Sequence, residues 1–150
     1  MICTMIMEAE MERTIKGTKT NLVIVRHPQV GDEERGKKAC AQINRVIAGK
    51  PGPVLFLHDA SAMDRATTAY ISAFRKLDKC LMNREVEFVC IAPASGPRAM
   101  VYIMSMLSSK KWAIFRDKAD AMVYLASKGV DLKDVIVSPQ ETVSIKLMAA

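Results

Sequence analysis

Four short apolar runs set the frame of this chain: Leu22-Val23-Ile24-Val25, Val54-Leu55-Phe56-Leu57, Phe88-Val89-Cys90-Ile91, and Trp112-Ala113-Ile114-Phe115. Each is continuous rather than alternating, as a strand covered on both faces requires. Helical repeats separate them. Gly36, Cys40, Ile43 and Ile47 form one apolar stripe; Thr67, Tyr70, Ile71, Phe74 and Leu77 a second; Met100, Val101, Met104 and Leu107 a third. A strand and helix recurring every ~30 residues imply right-handed β-α-β crossovers and a mostly parallel sheet. At 150 residues the chain is long enough for one domain with a proper core and short for two.

The punctuation agrees with this rhythm. Asp32-Glu33-Glu34 places negative charge at the start of the first helix and Gly49 stops it, before a turn at Pro51-Gly52-Pro53. Asp64 reads as the cap that opens the second helix. The third begins near Ser95 or Gly96, with Pro97 in its first turn. Asp117 caps a last helix with Ala119, Met122, Val123 and Ala126 inward and Gly129 as its stop. Residues 11–15 read as an N-terminal edge strand, expected to be antiparallel. Residues 131–150 form a C-terminal extension in which Val135-Ile136-Val137 and residues 143–147 suit an added strand or a docked tail. The expected fold is thus a single α/β domain with its core over residues 22–127.

Composition narrows the function. A net charge of +6 allows an acidic partner, but the basic residues are interspersed with acids, and aromatics are only 5% of the chain. A nucleic-acid surface wants a basic stripe with interleaved aromatics, so none is expected. The four cysteines, Cys3, Cys40, Cys80 and Cys90, lack the paired spacing of a metal or redox site, so neither metal nor cofactor is expected. No apolar run approaches the roughly 20 residues of a membrane span. The first residues lack the basic start of a signal peptide. These features point to the cytoplasm.

The stretch Val54-Leu55-Phe56-Leu57 followed by Met63-Asp64-Arg65-Ala66-Thr67 resembles the strand and Asp-Ser-Ser-Gly type loop of the STAS domain, the fold of bacterial anti-sigma-factor antagonists. Residues 87–92 and 112–115 are similar to its later strands. The resemblance covers residues 22–127 by pattern and length. It implies a non-enzymatic regulatory module that binds a signalling protein, anti-sigma-factor or kinase-like, and leaves room for a homodimer. The family's regulatory phosphoserine falls on Ala66, which has no hydroxyl, so the usual phospho-switch is expected to be lost or replaced.

The expected partner surface comprises Ser61, Met63, Asp64, Arg65, Ala66, Thr67 and Thr68, bordered by Ser95 and Arg98. On a helix opened by Asp64, Arg65 would oppose the macrodipole. It reads either as a solvated cation or as a contact for an acidic partner. Thr67 and Thr68 would then point roughly 100° and 200° further round that helix.

Other readings rest on other residues. Val25-Arg26-His27-Pro28 is similar to the Arg-His-Gly signature of histidine phosphatases, which would make His27 a phosphoryl acceptor with Arg26 and His58 beside it. Pro28 replaces the glycine, and two hydrogen-bonded strand-end histidines are the simpler account. Asp59, Ser95 and Lys118 suggest a two-component receiver, but Arg26 and His27 stand where its acidic Mg²⁺ ligands belong. Met100, Met104 and Met106 fit either core packing or a pocket for a lipid or small apolar ligand, as in CRAL-TRIO-like proteins.

Overall fold

The computed structural model describes residues 20–135 and the backbone of residues 144–148. Its elements, in chain order, are β1 (Asn21–Arg26), β2 (Val30–Gly31), α1 (Glu33–Ala48), β3 (Val54–Asp59), β4 (Arg65–Ala66), α2 (Thr68–Cys80), β5 (Val86–Ile91), α3 (Ser95–Leu107), β6 (Lys111–Phe115), α4 (Lys118–Ser127), α5 (Leu132–Val135) and β7 (Ser144–Met148). The main sheet has the order β6-β5-β3-β1-β7. β1, β3, β5 and β6 are mutually parallel, so the domain is α/β with the anticipated parallel core. β7 runs antiparallel to β1, with Val23 opposite Leu147. The N-terminal edge strand anticipated over residues 11–15 lies outside the described residues, as does Cys3. Of the apolar run at 135–137, Val135 is helical and the rest lies outside the described residues.

The parallel strands follow one another in space as they do in sequence. Three right-handed crossovers stepping the same way deliver all three helices to the same face. There α1, α2 and α3 meet Val23, Val25, Phe56, Phe88 and Trp112. The opposite face would be bare without the return of the chain from β6 toward β1. It is covered by α4 and α5, whose Ala121, Leu125 and Val135 pack on Leu22, Ile24, Leu55, Leu57, Val89 and Ile91. Successive strand residues thus feed two different cores, which is why apolar residues follow one another along the strands instead of alternating with polar ones.

α1 and α2 are built as their sequences suggest. The Asp32 carboxylate accepts from the Arg35 N–H at 2.9 Å, Gly49 is the C-cap, and Gly36, Cys40, Ile43 and Ile47 are all buried. The two helices come close because Gly36 has no side chain. A Cβ there would lie 3.2 Å from the Tyr70 Cα. At Gly31 a Cβ would lie 2.8 Å from the Tyr70 ring, so that position must also stay small.

The inward face of α4 differs from the expected one. Ala121 and Leu125 are buried, whereas Ala119, Val123 and Ala126 are exposed and Met122 is half-buried. Between Asp120 and Ser127 the helix carries no charge, so sequence period could not fix which side faces in. Asp117 holds the N-cap position, but its side chain makes no capping bond. Gly129 does follow the helix end, with a φ of 88° that favours glycine.

Candidate functional site

The carboxyl ends of β1 and β3 carry four of the buried polar residues, Arg26, His27, His58 and Asp59. Arg26 and Asp59 sit at paired positions on neighbouring strands. Arg26 Nη1 donates to Asp59 Oδ2 at 2.9 Å, and Nη2 donates to the Val135 carbonyl at 3.0 Å. The other Asp59 oxygen accepts from the Ser61 N–H at 3.0 Å and the Ser61 hydroxyl at 2.5 Å. This buried ion pair therefore joins β1, β3, α5 and the loop after β3, with its hydrogen-bonding groups satisfied on both sides. Removing one partner would leave the other charge buried alone, a change that costs several kcal/mol in comparable pairs.

The histidines lie on the other side of the sheet. His27 Nδ1 is 2.5 Å from the Tyr70 hydroxyl, and His27 Nε2 is 2.8 Å from His58 Nδ1. The chain runs from α2 through the end of β1 to β3, and its His58 end faces a cavity between α2, α3 and the sheet. Burial lowers the His27 pKa from 6.5 to about 4. It lowers that of His58 further below its ordinary value, with repulsion from His27 adding to the effect. Both rings are therefore neutral at neutral pH. A proton on either nitrogen of the shared bond dictates the tautomer along the whole chain.

This geometry weighs against His27 as a phosphoryl acceptor. Both of its ring nitrogens already have partners within the fold, and Arg26 is held by Asp59 and the Val135 carbonyl. The simpler account, two hydrogen-bonded strand-end histidines, matches the contacts. Asp59 likewise faces Arg26 rather than a cluster of carboxylates. Among the described residues no group of histidine, cysteine or acidic side chains is placed to hold a metal ion.

The anticipated partner surface is brought together, though its local structure differs. Asp64 does not cap a helix. Its N–H donates to the Gln29 carbonyl at 2.8 Å, and its carboxylate accepts from the Gln29 amide at 2.7 Å. Arg65 and Ala66 then pair in parallel with Val30 and Gly31 instead of forming a first helical turn. The cap is Thr67, whose Oγ1 accepts from the Tyr70 N–H at 3.2 Å, and Thr68 is the first helical residue. The helix begins late because the loops after β1 and β3 find backbone partners in each other. Arg65 therefore stands ahead of the helix rather than in its first turn, and the helical angles assigned to Thr67 and Thr68 do not apply.

Ser61, Asp64, Arg65, Thr67, Thr68 and Ser95 are exposed, Ala66 and Arg98 are half-buried, and Met63 is buried in the core. Met63 thus supports this surface from beneath and is not part of it. The Arg98 guanidinium turns back onto the preceding loop, donating to the Ala92 and Pro93 carbonyls at 3.2 and 2.7 Å. α3 touches β4, so its start borders the loop as anticipated.

Along α3 only Pro97 is buried. Met100, Val101 and Met104 are half-buried as the stripe suggests, but Leu107 is exposed together with Tyr102, Ile103 and Met106. Three other groups carried little local signal. The Tyr70 hydroxyl had only a core position on a helical stripe to mark it. Asp78 and Trp112 also line the cavity, which spacing along the chain did not indicate. Among the described residues no helix is long and apolar enough to cross a membrane. Compared with family models, curated proteins and solved structures, the chain matches none of them.

Proposed function

We propose that this chain is a non-enzymatic, STAS-like module of a bacterial regulatory system that works in the cytoplasm by binding another protein. The observation that carries this reading is the surface of α3. Tyr102, Ile103, Met106 and Leu107 are large, apolar and 49–75% exposed on one helix. Scattered exposed apolar residues are ordinary, but a group on one element is characteristic of a contact surface. The helix borders the loop of Ser61, Asp64, Arg65, Thr67 and Thr68 at the carboxyl ends of the strands, where open α/β sheets usually bind. The strand–helix order of the parallel core is also the one the STAS resemblance implies.

The chemistry of the surface suggests its partner. Arg98 is the only charged residue of α3, and the chain as a whole carries +6. A protein segment with an apolar face and acidic flanks would complement it. Ala66, at the position of the family's phosphoserine, would make that binding independent of phosphorylation there.

The test has two stages. Affinity capture from the native cell identifies the partner by mass spectrometry, and titration calorimetry then measures its binding to purified variants. Met106→Lys and Ala66→Glu should remain folded in thermal melts and weaken binding by roughly tenfold or more, since contact energy concentrates in a few desolvated residues. Wild-type affinity in both folded variants would place the contact elsewhere. A concentration-dependent second copy seen by sedimentation, lost in Met106→Lys, would replace the acidic partner with a homodimer.

A further inference from the structure

The two edges of the main sheet are finished differently. On one side β7 pairs with β1, whose six residues are all buried. On the other, β6 is the last strand among the described residues. Residues 112–115 are apolar but only half-buried, and Lys111, at the first position, is the strand's one charge. Native sheets usually protect an open edge with proline, inward-pointing charge or a covering segment. Among the described residues β6 has none of these past Lys111.

The backbone defines what this edge offers. The Ala92 N–H donates to the Phe115 carbonyl at 2.9 Å, and Phe115 is in register with Ile91. Successive strand residues turn their N–H and C=O groups to opposite sides, so Lys111, Ala113 and Phe115 serve β5. Trp112 and Ile114 turn theirs to the open edge. A strand added here would bond to those two residues.

Charge selects the strand that fits. The chain carries +6, so a second copy docks only where like charges stay apart. An antiparallel copy centred on Ile114 meets that condition. Ala113 then lies opposite Phe115 of the second copy, and Lys111 opposite its Asp117, so small meets large and cation meets anion. Asp117 suits this role, with an extended backbone and a carboxylate that makes no capping bond. A copy centred on Ala113 would instead set Arg116 against Lys110, and a parallel copy would set Lys111 beside itself.

Size points the same way. A stable interface covers about 800 Å² on each partner, more than a five-residue ribbon supplies alone. The helices touching β6 on its two faces carry the remainder. On one face Leu107 of α3, 61% exposed, lines a groove with Trp112. On the other α4 exposes Val123 at 73%.

We propose that the chain forms a two-fold homodimer in which β6 pairs antiparallel with β6 of a second copy, joining the two sheets into one. The axis at Ile114 makes the contact self-complementary and closed. This contact uses the strand edge and does not rest on the α3 reading.

Sedimentation of the full chain over a wide concentration range should show a reversible monomer–dimer equilibrium. Ile114→Pro removes an N–H that faces the open edge, a position where a strand tolerates proline, and should raise the dissociation constant tenfold or more. Should that variant fail to fold, Ile114→Lys sets like charges across the axis and should act equally. Lys111→Asp should weaken the dimer, and adding Asp117→Lys should restore it. Hydrogen exchange at the Trp112 and Ile114 amides should slow as the dimer forms. Met106→Lys, at a position turned away from Leu107 on α3, should leave the dimer intact.

A wild-type monomer at every concentration would overturn the proposal. So would amides at 112 and 114 that stay protected on dilution, which would give the edge to another segment of the same chain. A dimer lost in Met106→Lys but kept in Ile114→Lys would overturn it as well, moving the contact to α3.

Discussion

α1 and α3 cover the same face of the sheet, yet they are used differently. α1 buries Gly36, Ala39, Cys40, Ile43, Val46 and Ile47 and turns its charges outward, with Glu33–Lys37 and Glu34–Lys38 pairs along the exposed side. Those pairs are solvent-exposed and add little stability. Their value is that they leave every large apolar side chain of the helix on its buried side. α3 buries Pro97 alone, carries a single charge, and presents apolar residues to solvent while half-covering a cavity. A helix whose hydrophobic residues are all consumed by the fold has nothing left to offer a partner. A helix that keeps several in reserve has a surface available for contact.

The sharpest way to break the comparison is to truncate one isoleucine on each helix. Ile43→Ala should cost about 2–5 kcal/mol, because a fully buried side chain leaves a cavity that relaxes only in part. Ile103→Ala, at a residue 53% exposed, should stay within about 0.5 kcal/mol. Urea midpoints at constant m-value measure both. A comparable loss at Ile103 would mean that α3 is held against the domain more closely than its exposure indicates.

Acid should act on the interior beneath both helices through its buried histidines. Their folded-state pKa values are depressed, with His27 near 4 against an ordinary 6.5. Between those two values the unfolded chain binds a proton that the folded chain refuses. Stability is therefore complete above pH 6.5 and is lost as pH falls toward 4, by up to about 3 kcal/mol from His27 alone. His58, also depressed, acts in the same direction. Denaturant midpoints at about pH 7.5 and 4.5 should differ accordingly, and His27→Gln should flatten the dependence. An identical midpoint for wild type at the two pH values would show that water reaches the histidine pair.

The smallest effect distinguishes the two candidate caps at the border between the halves. Thr67→Ala removes the hydroxyl that accepts from Tyr70 N–H and should cost about 1 kcal/mol. Asp64→Ala, which removes only an exposed bond to Gln29, should cost less than about 0.5 kcal/mol. The reverse order in thermal melts would return the helix start to Asp64.

The elements were legible because they depend on local pattern. The strands expected at 22–25, 54–57, 86–91 and 112–115 became the four parallel strands, each within a residue or two of its expected ends. Asp32, Gly49 and the stripe of α1 were also readable, since charge and hydrophobicity there alternate with a helical period. α4 was placed correctly but turned wrongly, because a nearly uniform apolar helix has no period to read. At the site, the loop and the α3 start came together as anticipated, while Asp64, Met63 and Leu107 took roles that spacing did not indicate.

The amino-acid order alone determined a parallel α/β domain, through strand–helix alternation and the handedness of L-residue crossovers. Only the tertiary structure decided what the polar residues do. Arg26 meets Asp59, and His27 meets His58, because β1 and β3 are in a particular register. The late start of α2 depends on β2 finding β4, a pairing between residues far apart in the chain. Trp112 and Asp78 belong to different elements, β6 and α2, that meet around one cavity. Strand and helix propensities act over a few neighbouring residues, whereas hydrogen-bond partners and cavities exist only once distant segments have packed.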